Sequence, residues 1–176
     1  MDIISRLSLV VKDCPDFPRK GILFKDIMPI FKDPDLVKDT CQTLVDKISE
    51  IEKPDVIVGI EARGFLIGPI MAQQLNAKFV PIRKKGKLPR ECYSVKYEKE
   101  YGFDEFDMQI DALEENDKVV IVDDLLATGG TLEAAKMLCD KSGAKVIAHS
   151  VIFELEFLNG RDKLKDTPVI SLVRYN

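Results

Sequence analysis

Four apolar, β-branched runs recur along the chain: DVIVGI at 55–60, KFVPIRK at 78–84, KVVIV at 118–122 and AKVIAHSVIF at 144–153. A strand with one wet face alternates apolar and polar residues; the best of these runs do not, so they need cover on both sides. Helical spacing separates them, as in FLIGPIMAQQL after the first and GGTLEAAK after the third. Parallel neighbours require a crossover, and the helix is the crossover. At 176 residues and 45% hydrophobic content, the chain can bury one sizeable core and is short for two. The expected fold class is α/β, a mostly parallel sheet flanked by helices, in a single domain over residues 1–176.

The flanking segments carry their own signals. Ile3, Ile4, Leu7, Val10 and Val11 recur at helical spacing, predicting an amphipathic helix that ends before Pro15. Residues 15–31 are broken by prolines and Gly21 and read as irregular, with an extended piece at 22–24. Asp33 offers an N-cap with Pro34 at the first helical position, and Val37, Cys41, Leu44, Val45 and Ile48 form one stripe behind it. In the helix after DVIVGI, Pro69 is expected in the first turn, where amides lack intrahelical partners. Around residues 91–110, Phe106, Met108 and Ile110 alternate with Glu105, Asp107 and Gln109, predicting an antiparallel excursion with a mobile polar tip.

Composition excludes several classes. A net charge of −4 and a pI near 5.2 argue against a general nucleic-acid binder, so any anion site must be local. Cys14, Cys41, Cys92 and Cys139 show no metal-ligand spacing, and reduced thiols in a cytoplasmic protein are expected. No basic-then-apolar leader and no membrane-spanning apolar run is evident.

The chemistry concentrates in KVVIVDDLLATGGTLEAAK at 118–136. In an open parallel sheet ligands bind beyond the carboxyl ends of the strands, which puts Asp123 and Asp124 at the binding edge. Thr128, Gly129, Gly130 and Thr131 then open a helix, whose free N–H groups and positive dipole end suit a phosphate. Two carboxylates beside a phosphate site make sense only if they grip something neutral or positive attached to it, such as sugar hydroxyls, a developing cation or a magnesium ion. A ribose 5-phosphate meets these demands together. The stretch is not a nucleotide P-loop, since no G-x-x-x-x-G-K-[ST] occurs.

VVIVDDLLATGGT resembles the phosphoribosyl pyrophosphate (PRPP) signature of the type I phosphoribosyltransferases. DFPRKGILFKDIMPIFKDP, GIEARGFLIGPIMAQQL, IRKKGKLP, YEKEYG and FELEFLNGRDKL extend the resemblance over nearly the whole chain, toward the adenine-specific branch. The resemblance implies a Rossmann-like open twisted sheet with a small hood over 1–32, a core over 33–176 and a mobile antiparallel lid at about 87–102. It implies a purine salvage reaction, PRPP and adenine giving AMP and pyrophosphate with Mg2+ through an oxocarbenium-like transition state, in a cytoplasmic homodimer. Asp123 and Asp124 would hold the ribose, and Ala127, Thr128, Gly129, Gly130 and Thr131 the 5-phosphate. Glu61, Ala62, Arg63, Lys84 and Lys87 would meet pyrophosphate, with Arg83 at a subunit interface on an edge strand. Leu23, Phe24, Lys25 and Leu155 would take adenine, the main chain of 23–25 reading its edge. Glu100 would handle a proton and Tyr101 belongs to the lid. The magnesium ion would be held mainly by PRPP or pyrophosphate, with no dedicated protein ligand set. The chain departs from the family pattern at Ala62, where serine is usual, and at Lys25, where arginine is usual.

His149 is the only histidine, but it lies inside an apolar run, so a hydrogen-bonded structural role is expected. Tyr93, Tyr97 and Tyr101 could suggest a base-stacking platform, but Glu98, Glu100, Asp104 and Glu105 among them oppose nucleic acid. Two rivals stand beside the main reading: a transferase for another purine base, and a PRPP-sensing regulator without catalysis.

Overall fold

The computed structural model describes residues 1–17, 19–21, 23–99 and 102–176, with only the backbone at Lys99. Helix α1 (Ile3–Val10) starts on Asp2, whose carboxylate accepts from the Ser5 amide at 3.0 Å. Strands β1 (Lys12–Pro15) and β2 (Leu23–Asp26) pair antiparallel as a separate two-stranded sheet. The extended piece expected at 22–24 therefore reaches Asp26, and β1 was not foreseen. Its four residues are short, polar and mostly exposed, so only the pairing identifies them as a strand. A 3-10 turn at Met28–Lys32 leads into helix α2 (Pro34–Ile51). Asp33 caps α2 as expected, accepting from the amides of Asp35 and Leu36, both at 3.0 Å.

Strand β3 (Val56–Ile60), helix α3 (Gly64–Leu75) and strand β4 (Lys78–Lys84) form the first crossover unit. Pro69 sits inside α3 rather than in its first turn, because the helix begins at Gly64, directly after the strand-end turn. Its ring is exposed, while Ile67, Met71 and Leu75 hold the helix down by burial. Strands β5 (Cys92–Lys99) and β6 (Gly102–Gln109) form the antiparallel excursion. Strand β7 (Lys118–Leu126), helix α4 (Gly130–Lys141) and strand β8 (Lys145–Leu155) form the second crossover, and β9 (Val169–Tyr175) closes the sheet. The seven strands run in the order β5-β6-β4-β3-β7-β8-β9, parallel from β4 through β9.

Both faces of that sheet are buried, as the continuous apolar runs require. Val120 and Val122 of β7 join Ile57, Leu44, Ile48 and Ile67 on the α2–α3 side. Val119 and Ile121 join Val58, Leu132 and Leu138 on the α4 side. Each fully buried Val, Ile or Leu contributes roughly 1.5–3 kcal/mol, so this double-sided strand is the most strongly fixed platform in the molecule.

The hairpin departs from simple alternation. Asp107 is buried, accepting from Ser94 Oγ at 2.6 Å and the Gly86 amide at 2.8 Å, and Ile110 is exposed just past the strand end. Its hydrogen bonds fasten β5 and the residue 84–87 turn to β6. Strand β6 also pairs with Arg83 and Lys84, so that end of β4 is not the free edge expected for it.

Candidate active site

The acid pair lies within β7, two to three residues before its end, rather than past it. Strand β3 accompanies β7 only as far as the Gly59–Val122 pair, whereas β8 continues to the Leu126–Glu154 pair. From Asp123 onward one flank of β7 therefore faces the turn at residues 61–63 instead of another strand. The Glu61–Ala62 peptide bond in that turn is cis. Arg63 follows, and its Nε lies 3.0 Å from Asp124 Oδ2.

Burial and mutual repulsion act together on this pair. The Asp124 side chain is 3% exposed, and burial raises its pKa against the opposing pull of Arg63. Half-buried Asp123 is pushed well above the usual carboxylate range, by burial first and by the neighbouring Asp124 charge second. Asp123 Oδ1 also accepts from the Asp124 amide at 2.9 Å. Such a pair favours ligands that bring hydroxyl donors or positive charge.

Beyond Leu126 the chain turns through Ala127, Thr128 and Gly129 into α4. Gly129 has φ +83°, a left-handed conformation that favours glycine, and its carbonyl accepts the first helical bond, from Glu133, at 2.9 Å. The N-terminal amides of α4 open toward a cavity of about 160 Å³ lined by Arg63, Asp123, Asp124, Ala127, Thr128 and Thr131, among others. Gly130 is buried behind the loop, where an added Cβ would lie 3.3 Å from the Glu98 carbonyl oxygen. Buried Tyr97 brings its phenol to Thr131 and Asp104, tying β5 to the same loop; burial raises that phenol's pKa.

The remaining expected residues divide between two places. Glu61 is held by Arg83 through contacts of 3.2 and 2.9 Å and accepts from the Lys84 amide at 3.1 Å; Arg83 above all keeps its pKa low. Lys84 pairs with Asp104 at 3.4 Å. Lys84 and Lys87 line a separate cavity of about 410 Å³ together with Lys96 and Phe103. Toward the hood, the Arg63 guanidinium carbon lies 5.6 Å from the centre of the Phe24 ring, whose edge meets Phe17 at 5.1 Å. Lys25 pairs with Asp13 at 2.5 Å and lies 4.4 Å over the Tyr175 ring. Leu155, half-buried at the end of β8, is the register partner of Tyr175. Leu23 is exposed. Glu100 and Tyr101 lie outside the described residues.

Sequence reasoning overlooked Tyr175 and Glu154. An aromatic closing the apolar run VISLVRY, and a carboxylate inside VIFEL, were the available signals. His149 corrects an expectation. It is fully buried, but neither ring nitrogen has a hydrogen-bond partner, because its neighbours across the sheet are Ile121 and Val169.

Comparison with known proteins adds independent findings. Residues 31–172 match the family model described as phosphoribosyl transferase domain. The adenine phosphoribosyltransferase of Thermosipho africanus (strain TCF52B) is 48% identical over 167 residues, 95% of this chain and 98% of that protein. The crystal structure of the Saccharomyces cerevisiae adenine phosphoribosyltransferase, complexed with D-2,5-dideoxy-2,5-imino-altritol 1,6-bisphosphate and adenine, is similar with a TM-score of 0.91 and 43% identity. That similarity covers 97% of this chain and 98% of the yeast chain. The Giardia lamblia APRTase complexed with 9-deazaadenine gives a TM-score of 0.93 at 36% identity, over 100% of this chain and 99% of that one.

Proposed function

Because the chain belongs to the phosphoribosyl transferase family, among its adenine phosphoribosyltransferases, we propose that it transfers ribose 5-phosphate from PRPP to N9 of adenine, giving AMP and pyrophosphate. The observation that carries this reading is the juxtaposition, in one cavity, of the Asp123–Asp124 pair, Arg63 and the N-terminus of α4. Each recognises a different part of one molecule.

We assign the 5-phosphate to the amides and hydroxyls of residues 127–131, where the helix dipole stabilises an anion without a buried counter-cation. The ribose hydroxyls go to Asp123 and Asp124. Donating to the carboxylates favours their charged form, so substrate binding draws their raised pKa values down just where positive charge will develop on the sugar. Arg63 touches Asp124 through Nε, and its terminal nitrogens are assigned to the leaving pyrophosphate. Lys84 and Lys87 supply further positive charge, while Glu61 orients Arg83 and the Lys84 amide. Rate then comes from orientation and fixed electrostatics, with no covalent nucleophile.

Magnesium fits this donor set. It takes hard oxygen ligands, often one or two carboxylates plus substrate phosphates, and the acid pair offers such oxygens. Among the described residues no group of three or more His, Cys, Asp and Glu side chains is placed to hold a metal ion, which agrees with PRPP itself carrying most of the ligands. When bound, the ion would neutralise the pyrophosphate leaving group.

Adenine is assigned between Phe24 and Leu155. Strand β2 has β1 on one side only, so its other edge offers main-chain donors and acceptors at 23–25 to a flat ring. The β5–β6 hairpin is assigned the lid, with Tyr101 at its tip and Glu100 handling a proton beside the purine, over a domain of hood (1–32) and core (33–176). A cytoplasmic homodimer completes the reading; no helix among the described residues is long and apolar enough to cross a membrane. Incubation of the purified protein with PRPP, Mg2+ and adenine tests the proposal by formation of AMP and pyrophosphate in equal amounts. Binding of PRPP without turnover of any base would overturn the transferase reading in favour of a sensor. Sedimentation should give twice the chain mass.

A further inference from the structure

Glu154 is a carboxylate set inside an apolar strand, its side chain 3% exposed. Arg161 meets it with two hydrogen bonds, Nε to Oε1 at 2.6 Å and a terminal nitrogen to Oε2 at 2.8 Å, and Ser171 Oγ donates to Oε2 at 2.6 Å. A buried charge persists in a protein only where it is paired and hydrogen-bonded. None of these groups lines the cavity that holds the acid pair.

Their importance lies in what they fasten. Glu154 is the register partner of Leu126, the last residue of β7, from which the phosphate loop departs. Arg161 belongs to the 3-10 turn Gly160–Leu164, so its fork on Glu154 pins that turn against the end of the sheet. Gly160, the preceding residue, touches the loop main chain to main chain. A Cβ at Gly160 would overlap the Ala127 carbonyl oxygen, and a Cβ at Gly129 would overlap the Gly160 carbonyl oxygen. With no side chain between them, a shift of the turn passes directly into the loop.

We propose that Arg161 is a positioning residue for the phosphate loop: clamped on Glu154, it holds Gly160 against Ala127 and Gly129 and so sets the direction of the amides that open α4. The inference rests on the assignment of residues 127–131 to the 5-phosphate of PRPP. Arg174 lies 3.5 Å from the same Glu154 carboxylate, so loss of Arg161 leaves a cation beside the buried charge while freeing the turn.

The test is calorimetric titration of ribose 5-phosphate, and separately of magnesium pyrophosphate, into the unmodified protein and into Arg161→Ala, Arg161→Lys and Gly160→Ala. Arg161→Ala and Gly160→Ala should each weaken ribose 5-phosphate by roughly 10- to 100-fold and alter pyrophosphate by less than about twofold, as expected when a distant change misplaces one binding element. Arg161→Lys keeps the charge but loses the two-point fork and should fall between. Unchanged ribose 5-phosphate affinity in the variants, or equal losses for both ligands, would overturn the positioning role. Failure of the unmodified protein to bind ribose 5-phosphate would instead overturn the loop assignment, and the inference with it. Should Arg161→Ala not fold, Arg161→Lys and Gly160→Ala decide the matter by the same two titrations.

Discussion

Arg63 Nε stands 3.0 Å from Asp124 Oδ2, and the same guanidinium lies 5.6 Å from the centre of the Phe24 ring, so one side chain joins the acid pair to the hood. Arg63 is the cation that offsets the burial of Asp124. Replacing it with glutamine leaves two adjacent carboxylates with less reason to ionise, and the Asp124 pKa rises further. In Arg63→Gln the acid limb of the pH profile for kcat/KM of PRPP should move to higher pH. An acid limb unmoved by the substitution would show that Arg63 does not control the charge of the pair.

Asp123→Asn and Asp124→Asn keep size and remove charge. Turnover should fall by roughly tenfold to a thousandfold, in line with losses of other transition-state electrostatic partners. Thermal stability should change little for Asp123→Asn, because the charge removed is one that burial already disfavours. Normal turnover in both variants would remove the ribose from this site.

The parts of this arrangement legible in the sequence are those written locally. VVIV read as a doubly buried strand because nothing polar interrupts it, and Asp33-Pro34 read as a helix start because capping is a matter of a few neighbouring atoms. The acid pair and glycine turn stood out for the same reason. What was hidden depends on pairing across the fold. Lys12–Pro15 becomes a strand only because β2 lies beside it, and Asp107 is buried only because Ser94 and Gly86 meet it there. No local pattern says that Glu61 will be held by Arg83, or Glu154 by Arg161.

His149 supplies a stability prediction. Burial, with a smaller contribution from Lys136, lowers its pKa from the ordinary 6.5 to about 4. Between those values the unfolded chain binds a proton that the folded one refuses, so stability is full above pH 6.5, declines as pH falls toward 4, and is flat below. A shift of this size is worth about 3 kcal/mol. Denaturant unfolding of the unmodified protein and of His149→Leu at a series of pH values should show their stability difference changing by about that amount between pH 7 and pH 4. Parallel curves over this range would mean that the imidazole is protonated in the fold.

Base choice tests the hood. Adenine presents a donor at its 6-amino group and an acceptor at N1, whereas hypoxanthine presents a 6-oxo acceptor and a protonated N1. Both complementarities invert. Main-chain groups on the free edge of β2 cannot rotate to suit the second base, since β1 fixes the strand from the other side. Each buried group left unpaired costs about 1–3 kcal/mol, so two mismatches should disfavour hypoxanthine by roughly a hundredfold to ten-thousandfold in kcat/KM. Lys25→Ala should leave this ratio intact, because the Lys25 side chain is engaged with Asp13 and the Tyr175 ring. Phe24→Ala should weaken every purine through lost ring contact without reordering them. A Lys25→Ala variant that accepted hypoxanthine would move the reading of the base from main chain to side chain. Comparable use of both bases by the unmodified protein would remove the adenine assignment altogether, while leaving the cavity around Asp123 and Asp124 its role with PRPP.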